Sequence, residues 1–300
     1  MEVYTIGHVA KMTGLTEFTL RAWERRYGVP LPNRSHSGRR VYATREIEKL
    51  KLLKQLTENG HVIGEIAHLD MPKLNALAKQ SDFALADAHR IQNLLTAVKE
   101  CNLQRLSALL RHTQLEHDTR TFLLDIVSPL LAEIGEQVMA GELDIYHEHA
   151  ASSVIRNILS GIFYSIEQRT EGNPSQILVF AGPEGDYHEF GILISAILTA
   201  LNGKNVLYLG ANMPAISLAR AIKKAESAVV VIGCSTSNQA LSTSQYRNFV
   251  NHLTTEVDPQ VSFWFGGARN NDIRSLSALK KRDVLMLNRY QDLEKALRNF

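Results

Sequence analysis

Five short runs rich in branched and aromatic apolar residues constrain the fold most: ILVFA (177–181), NVLYLG (205–210), AVVVIG (228–233), VSFWFG (261–266) and DVLML (283–287). Each is followed by a stretch with helical character. Strands apolar along their whole length are buried on both faces, and strands separated by helices pair in parallel. Residues 173–300 are therefore expected to form an α/β, flavodoxin-like (Rossmann-like) domain with a five-stranded parallel sheet. In such sheets ligands bind outside the carboxyl ends of the strands.

Three features of the sequence fall at that edge. After the first run come Gly182-Pro183-Glu184-Gly185 and then Asp186-Tyr187-His188-Glu189-Phe190-Gly191. His188 is expected in the loop, Asp186 is near enough to orient its ring, and Gly191 is expected to let the next helix approach closely. After the third run come Cys234-Ser235-Thr236-Ser237, with hydroxyls at the same edge. After the fourth comes Gly266-Gly267, where missing side chains leave room for a bulky ligand. A loop histidine in a sheet domain without any cofactor is the plainer alternative.

The other end of the chain is basic. Residues 1–60 hold 11 Lys and Arg against 6 Asp and Glu, a charge of +5, so the +2 of the whole chain leaves −3 for the rest. A basic head on a mildly acidic body fits nucleic-acid contact confined to one end. Tyr4–Met12 reads as a short helix with Ile6, Val9, Ala10 and Met12 inward, stopped at Gly14. Thr16 is an expected N-cap for a second helix, Phe18–Tyr27, closed by Gly28, with Leu20 and Trp23 facing the core. This is a helix-turn-helix pattern whose second helix enters the major groove. Asn33–Tyr42, a glycine turn flanked by Arg34, Arg39 and Arg40, reads as a hairpin wing suited to phosphates. A third helix from Thr44 places Ile47, Leu50, Leu53 and Leu56 on one face and ends at Gly60; a short helix, Val62 to Leu69, completes the head.

The middle reads as a linker with some helix (73–83), then four helical patterns at about 84–99, 102–113, 117–140 and 144–169, a small four-helix bundle. The last begins Asp144-Ile145-Tyr146-His147-Glu148-His149. His147 and His149 are two apart and point to different sides of a helix, which favours a polar helix start over a metal pair. The two cysteines, Cys101 and Cys234, have no paired spacing, so neither a disulfide framework nor a thiolate zinc site is expected. With no apolar run near the ~20 residues that span a bilayer, the expected location is cytoplasmic.

The stretch YTIGHVAKMTGLTEFTLRAWERRYG, followed by PNRSHSGRRVY, resembles the MerR family of transcription regulators. The resemblance covers about 70 residues and implies a winged helix-turn-helix domain that binds double-stranded promoter DNA as a dimer. It carries DNA contact onto Thr19, Arg21, Arg25, Arg26, Arg34, Arg39, Arg40 and Tyr42; the alternative for any one arginine is a solvated side chain or one paired with Glu17 or Glu24. The long dimerisation helix of many MerR proteins is not evident, since Leu69-Asp70-Met71-Pro72 is expected to stop the head.

The α/β part resembles the cobalamin-binding domain of methionine synthase, the mutases and cobalamin-dependent MerR regulators, whose pattern is D-x-H-x-x-G, then S-x-L, then G-G. That resemblance implies a base-off cobalamin whose cobalt takes His188 as lower axial ligand, with Asp186 as its partner, Gly191 completing the motif, and the nucleotide tail running past Ser235 and Gly266-Gly267. Ser237 stands where leucine is usual. The domain order is similar to the CarH/LitR group of light-sensing repressors, which implies adenosylcobalamin, a homo-oligomer (dimer or tetramer) and DNA release on illumination. In that group W-x9-E-H covers the upper face of the cofactor; here Glu148-His149 stand at the right distance, with Val138 in place of tryptophan and Met139 where some members have histidine. The expected domains are 1–72, the linker 73–83, a cofactor-capping helical bundle 84–172 and a cobalamin domain 173–300. A regulator sensing another cobalamin form, another ligand or a partner protein is the second reading; a corrinoid enzyme subunit is disfavoured, because a DNA-binding head has no use in one and no catalytic domain accompanies it.

Overall fold

The computed structural model describes residues 3–34, 38–167, 177–234, 242–267, 277–280 and 282–300. The chain divides into two compact units, Met1–Asn93 and Leu94–Phe300.

The first unit contains β1 (Val3–Tyr4), α1 (Ile6–Thr13), α2 (Glu17–Tyr27), β2 (Asn33–Arg34), β3 (Arg40–Ala43), α3 (Thr44–Glu58), α4 (Ile63–Ile66) and the first part of α5 (Met71–Lys99). Both early helices end at a left-handed glycine, Gly14 (φ 68°) and Gly28 (φ 69°), a conformation that costs a residue with a Cβ. Thr16 caps α2 by accepting the Thr19 N–H at 3.0 Å. Val9, Leu20, Ile47, Leu50, Leu53 and Leu56 are buried together, with Trp23 packed against them. Met12 departs from the expectation: it is exposed, and Thr13 is buried in its place, returning its hydroxyl to the Val9 carbonyl at 2.8 Å. The three-stranded sheet has the order β1-β3-β2, so the wing hairpin pairs as expected.

Pro72 starts a helix rather than stopping one. Asp70 caps α5 by accepting the Lys73 N–H at 3.1 Å. Pro72 lies in the first turn, where its missing N–H is not needed. The stretch expected as a linker lies inside this 29-residue helix, so a long helix does follow the head.

The second unit begins with helices: the end of α5, then α6 (Leu103–Glu116), α7 (Thr119–Thr121), a π-helical segment (Phe122–Val127), α8 (Ser128–Met139) and α9 (Ile145–Glu167). The π segment precedes Pro129, which cannot donate a hydrogen bond and whose ring would crowd the carbonyl of Asp125. The wider turn answers both constraints, and the Ser128 N–H reaches back to Leu123. Leu106, Phe122, Ile126, Leu130, Ile155 and Leu159 are buried between these helices.

The α/β part follows as β4 (Ile177–Pro183), α10 (Phe190–Leu201), β5 (Asn205–Met213), α11 (Ala215–Lys224), β6 (Val229–Gly233), α12 (Thr243–Glu256), β7 (Ser262–Gly266), β8 (Val284–Leu287) and α13 (Tyr290–Asn299). All five expected strands form, every pairing is parallel, and the order is β5-β4-β6-β7-β8. The chain runs outward one way from β4 to β5, then the other way from β6, so the topological switch lies at the carboxyl ends of β4 and β6. Arg120 of α7 clamps Glu294 of α13 with two hydrogen bonds, at 2.6 and 2.9 Å, and thereby ties the helical part to the sheet domain.

Candidate functional site

His188 and Asp186 follow β4 at the switch point. The Asp186 carboxylate is buried at 3% exposure and its Oδ1 accepts twice from His188, from the backbone N–H at 3.0 Å and from Nδ1 at 2.7 Å. With Nδ1 donating, the neutral imidazole carries its lone pair on Nε2, the atom that would ligate a metal. The ring is 44% exposed, with Asp186 holding it through Nδ1. Its pKa is raised, first by the hydrogen bond to Asp186, against the opposing effect of burial, then by the negative charges of Asp186 and Glu148. That last contribution sets Glu148, at the start of α9, within electrostatic range of the histidine.

The loop has anchors that the sequence did not reveal. Asn212, at the end of β5 in a left-handed conformation (φ 54°), accepts the Gly185 N–H on Oδ1 at 2.8 Å and donates its backbone N–H to the Asp186 carbonyl at 2.9 Å. A Cβ on Gly182 would lie 3.1 Å from the Ala211 Cα, so this glycine permits the close pairing of β4 and β5. On the other side, Glu189 forms an ion pair with Arg156 of α9, whose guanidinium also lies 5.9 Å over the Phe190 ring. Asn212 gave no signal because its role depends on backbone conformation; Arg156 lies two turns beyond Glu148 on one helical face, a spacing that could have suggested it.

The glycines divide by purpose. A Cβ on Gly191 would meet no described atom within 4 Å, so Gly191 does not serve helix approach as expected; that is done by Gly233, where a Cβ would lie 3.1 Å from Ile192. Gly267 (φ 113°) is required by the chain itself, because a Cβ there would stand 2.1 Å from the Cys234 carbonyl oxygen. Gly266 has neither constraint: a Cβ there would meet no described atom within 4 Å. Ser235 lies outside the described residues, as do Thr236 and Ser237.

At the helical end, Val138 is partly buried, Met139 is 69% exposed, Glu148 is partly buried and His149 is exposed. His147 belongs to the start of α9: its Nδ1 accepts the Asp144 N–H at 3.1 Å and its ring stacks on Tyr146 at 3.9 Å. Among the described residues no group of three or more His, Cys, Asp or Glu could hold a bare metal ion. A single oriented histidine after β4, with no described atom facing Gly266 at the end of β7, instead fits a metal that arrives inside a larger ligand.

In the first unit Arg21, Arg25, Arg26, Arg34, Arg39 and Arg40 are all exposed. Arg21 pairs with Glu17 at 3.6 Å and Arg40 with Glu24 at 3.1 Å, while Thr19 is engaged with the Thr16 cap. Tyr42 is a correction. It is fully buried, because the pairing of β3 with β1 turns its ring into the core, and its hydroxyl donates to Glu24 at 3.1 Å. Burial and the Glu24 charge push its pKa up to about 12. Tyr42 therefore supports the wing rather than touching DNA.

Comparison with known proteins gives matches in the head and in the helical part. A family model described as MerR HTH family regulatory protein matches residues 4–70, and one described as B12 binding domain matches residues 90–161. The HTH-type transcriptional repressor CarA of Myxococcus xanthus is 32% identical over 230 residues, covering 76% of this chain and 75% of that protein. The chain belongs to the CarH-like family of cobalamin-binding MerR regulators. The HTH-type transcriptional repressor CarH of the same organism is 28% identical over 273 residues, 88% of this chain and 89% of that protein. Among solved structures, the Methanosarcina barkeri monomethylamine corrinoid protein superposes with a TM-score of 0.55 at 16% identity, covering 69% of this chain and 96% of that one, a likeness of fold alone. Among the described residues no helix is long and apolar enough to cross a membrane.

Proposed function

We propose that this CarH-like regulator is a light-responsive repressor that binds promoter DNA as a homo-oligomer while it holds adenosylcobalamin base-off through His188. The observation that carries the reading is the Asp186–His188 pair at the switch point, with the ring oriented through Nδ1 and its side chain 44% exposed. When bound, the cofactor would supply a cobalt–carbon bond that light breaks. The chain's own residues would do the rest. Asp186 would fix the imidazole, Gly191 and Gly266 would leave room, Gly267 would flank the nucleotide tail, and Val138, Glu148 and His149 would cover the upper face; the role expected of Ser235 falls outside the described residues. The division into a DNA head over 1–72, a capping bundle over 84–172 and a cobalamin domain over 173–300 belongs to the same reading. Since His147 Nδ1 already serves the start of α9, we assign any capture of cobalt after light to His149.

The relatives named CarA and CarH are described as repressors, which supports the sign of regulation. A second reading keeps the DNA head and the cobalamin site but senses another cobalamin form, another ligand or a partner protein; Val138 in the position of the family's tryptophan favours it. The corrinoid enzyme reading rests on a likeness of fold over 69% of the chain and leaves the MerR head without a use. The test is gel mobility of a duplex covering the chain's own promoter region, with adenosylcobalamin in the dark, after illumination and without cofactor. Retardation only in the dark complex is expected. Dependence on cobalamin without dependence on light would select the second reading, and equal retardation in all three would remove the cofactor from the account.

A further inference from the structure

We infer that Phe18 is a sequence-reading residue of the DNA head, placed to make apolar contact with the C5 methyl groups of thymines in the major groove. The inference rests on the DNA-binding reading above. Phe18 lies in the first turn of α2 and is 81% exposed, in a unit that buries Val9, Leu20 and Leu56 completely. Among the described large apolar residues of that unit it is the most exposed.

Its surroundings point to nucleic acid. At 3.6 residues per turn, Phe18, Arg21 and Arg25 fall on one stripe of α2, opposite the buried Leu20, and both arginines are exposed. A ring at the head of a stripe that continues with two cations, the first of them paired with Glu17 at 3.6 Å, is a poor docking point for another apolar protein surface. It suits a ligand with anionic edges and a face of mixed polarity. The first turn of a recognition helix contacts base edges, and the thymine methyl is the one apolar group the major groove presents. The arginines, farther along the same stripe, would engage phosphate or guanine, and Phe18 would discriminate thymine from cytosine.

The test uses the full chain. A random duplex pool is selected for binding, and the selected duplex is remade with deoxyuridine for thymine at each position, which removes only the methyl group. The wild-type protein is expected to lose affinity about fourfold at one or two positions, the effect of one methyl leaving a buried apolar contact. Phe18→Ala is expected to bind thymine and uracil duplexes equally while keeping the salt dependence of the wild type. Equal binding of both duplexes by the wild type overturns the inference and leaves DNA binding intact. Equal discrimination by Phe18→Ala also overturns it. Failure of the wild type to select any duplex overturns the DNA-binding reading, and this inference with it.

Discussion

Gly266 and Gly267 are adjacent, and the structure gives them opposite reasons for being glycine. Alanine at 267 would place its Cβ 2.1 Å from the Cys234 carbonyl oxygen, with φ at 113°. Ordinary contact begins near 3.4 Å, and the oxygen cannot yield easily, because β6 and β7 are paired up to Gly233 and Gly266 and the Cys234 N–H is bonded to the Gly266 carbonyl at 2.8 Å. The backbone strain costs about 1–3 kcal/mol and the overlap a similar amount, so Gly267→Ala should destabilise the cofactor-free protein by about 2–5 kcal/mol. Alanine at 266 meets no described atom within 4 Å and has no such φ, so the cofactor-free protein should change by less than about 1 kcal/mol. If the open space at 266 is where the cofactor tail passes, Gly266→Ala should nonetheless lose cobalamin affinity. Urea unfolding without cofactor and spectrophotometric titration with cobalamin separate the two effects. A Gly267→Ala protein as stable as wild type would refute the steric argument, and a Gly266→Ala protein with unchanged cobalamin affinity would refute the path assigned to the tail.

Three further perturbations follow from the geometry. Asp186→Asn removes the charge that orients His188, and the fraction of bound cobalamin ligated by histidine should fall by a factor of about 10–100 in its equilibrium, read from the visible spectrum; an unchanged spectrum would deny Asp186 this role. Tyr42→Phe deletes a buried hydrogen bond to Glu24 and should cost about 1 kcal/mol of stability in the head while leaving DNA affinity unaltered; a selective loss of DNA affinity would restore Tyr42 to the interface. Arg120→Ala should destabilise the second unit by about 1–2 kcal/mol at neutral pH, since Arg120 holds the Glu294 carboxyl below the usual glutamate range. A depressed carboxylate pKa contributes stability above the unfolded value and loses it as pH falls through the folded one. The difference between variant and wild type should therefore shrink in acid, and a constant difference down to low pH would contradict the ion pair.

Much of the fold was legible because it rests on local rules. β4 and β6 are buried almost throughout, and their apolar runs stood out without any alternation to decipher. Gly14, Gly28 and Thr16 marked helix ends by chemistry that acts within four residues. The misses have a common cause in context. Pro72 reads as a stop until Asp70 is seen to cap the helix, which makes the proline a first-turn residue. Tyr42 reads as wing surface until the register of β3 against β1 turns it inward. Met12 and Thr13 are adjacent, and only the final phase of α1 decides which is buried. At the site, D-x-H-x-x-G announced His188 and Asp186. The Asn212 anchor and the Arg156–Glu189 pair depend on β5 and α9 arriving from elsewhere in the chain.

The central claim is that His188 ligates cobalt in place of the cofactor's own base. The most direct test is electron paramagnetic resonance of the protein loaded with cobalamin in the cobalt(II) state, prepared once with natural histidine and once with nitrogen-15 histidine. Ligation through His188 predicts that the nitrogen splitting changes from that of a spin-one nucleus to that of a spin-half nucleus, and that His188→Ala loses the labelled pattern. A spectrum indifferent to the label would contradict the account.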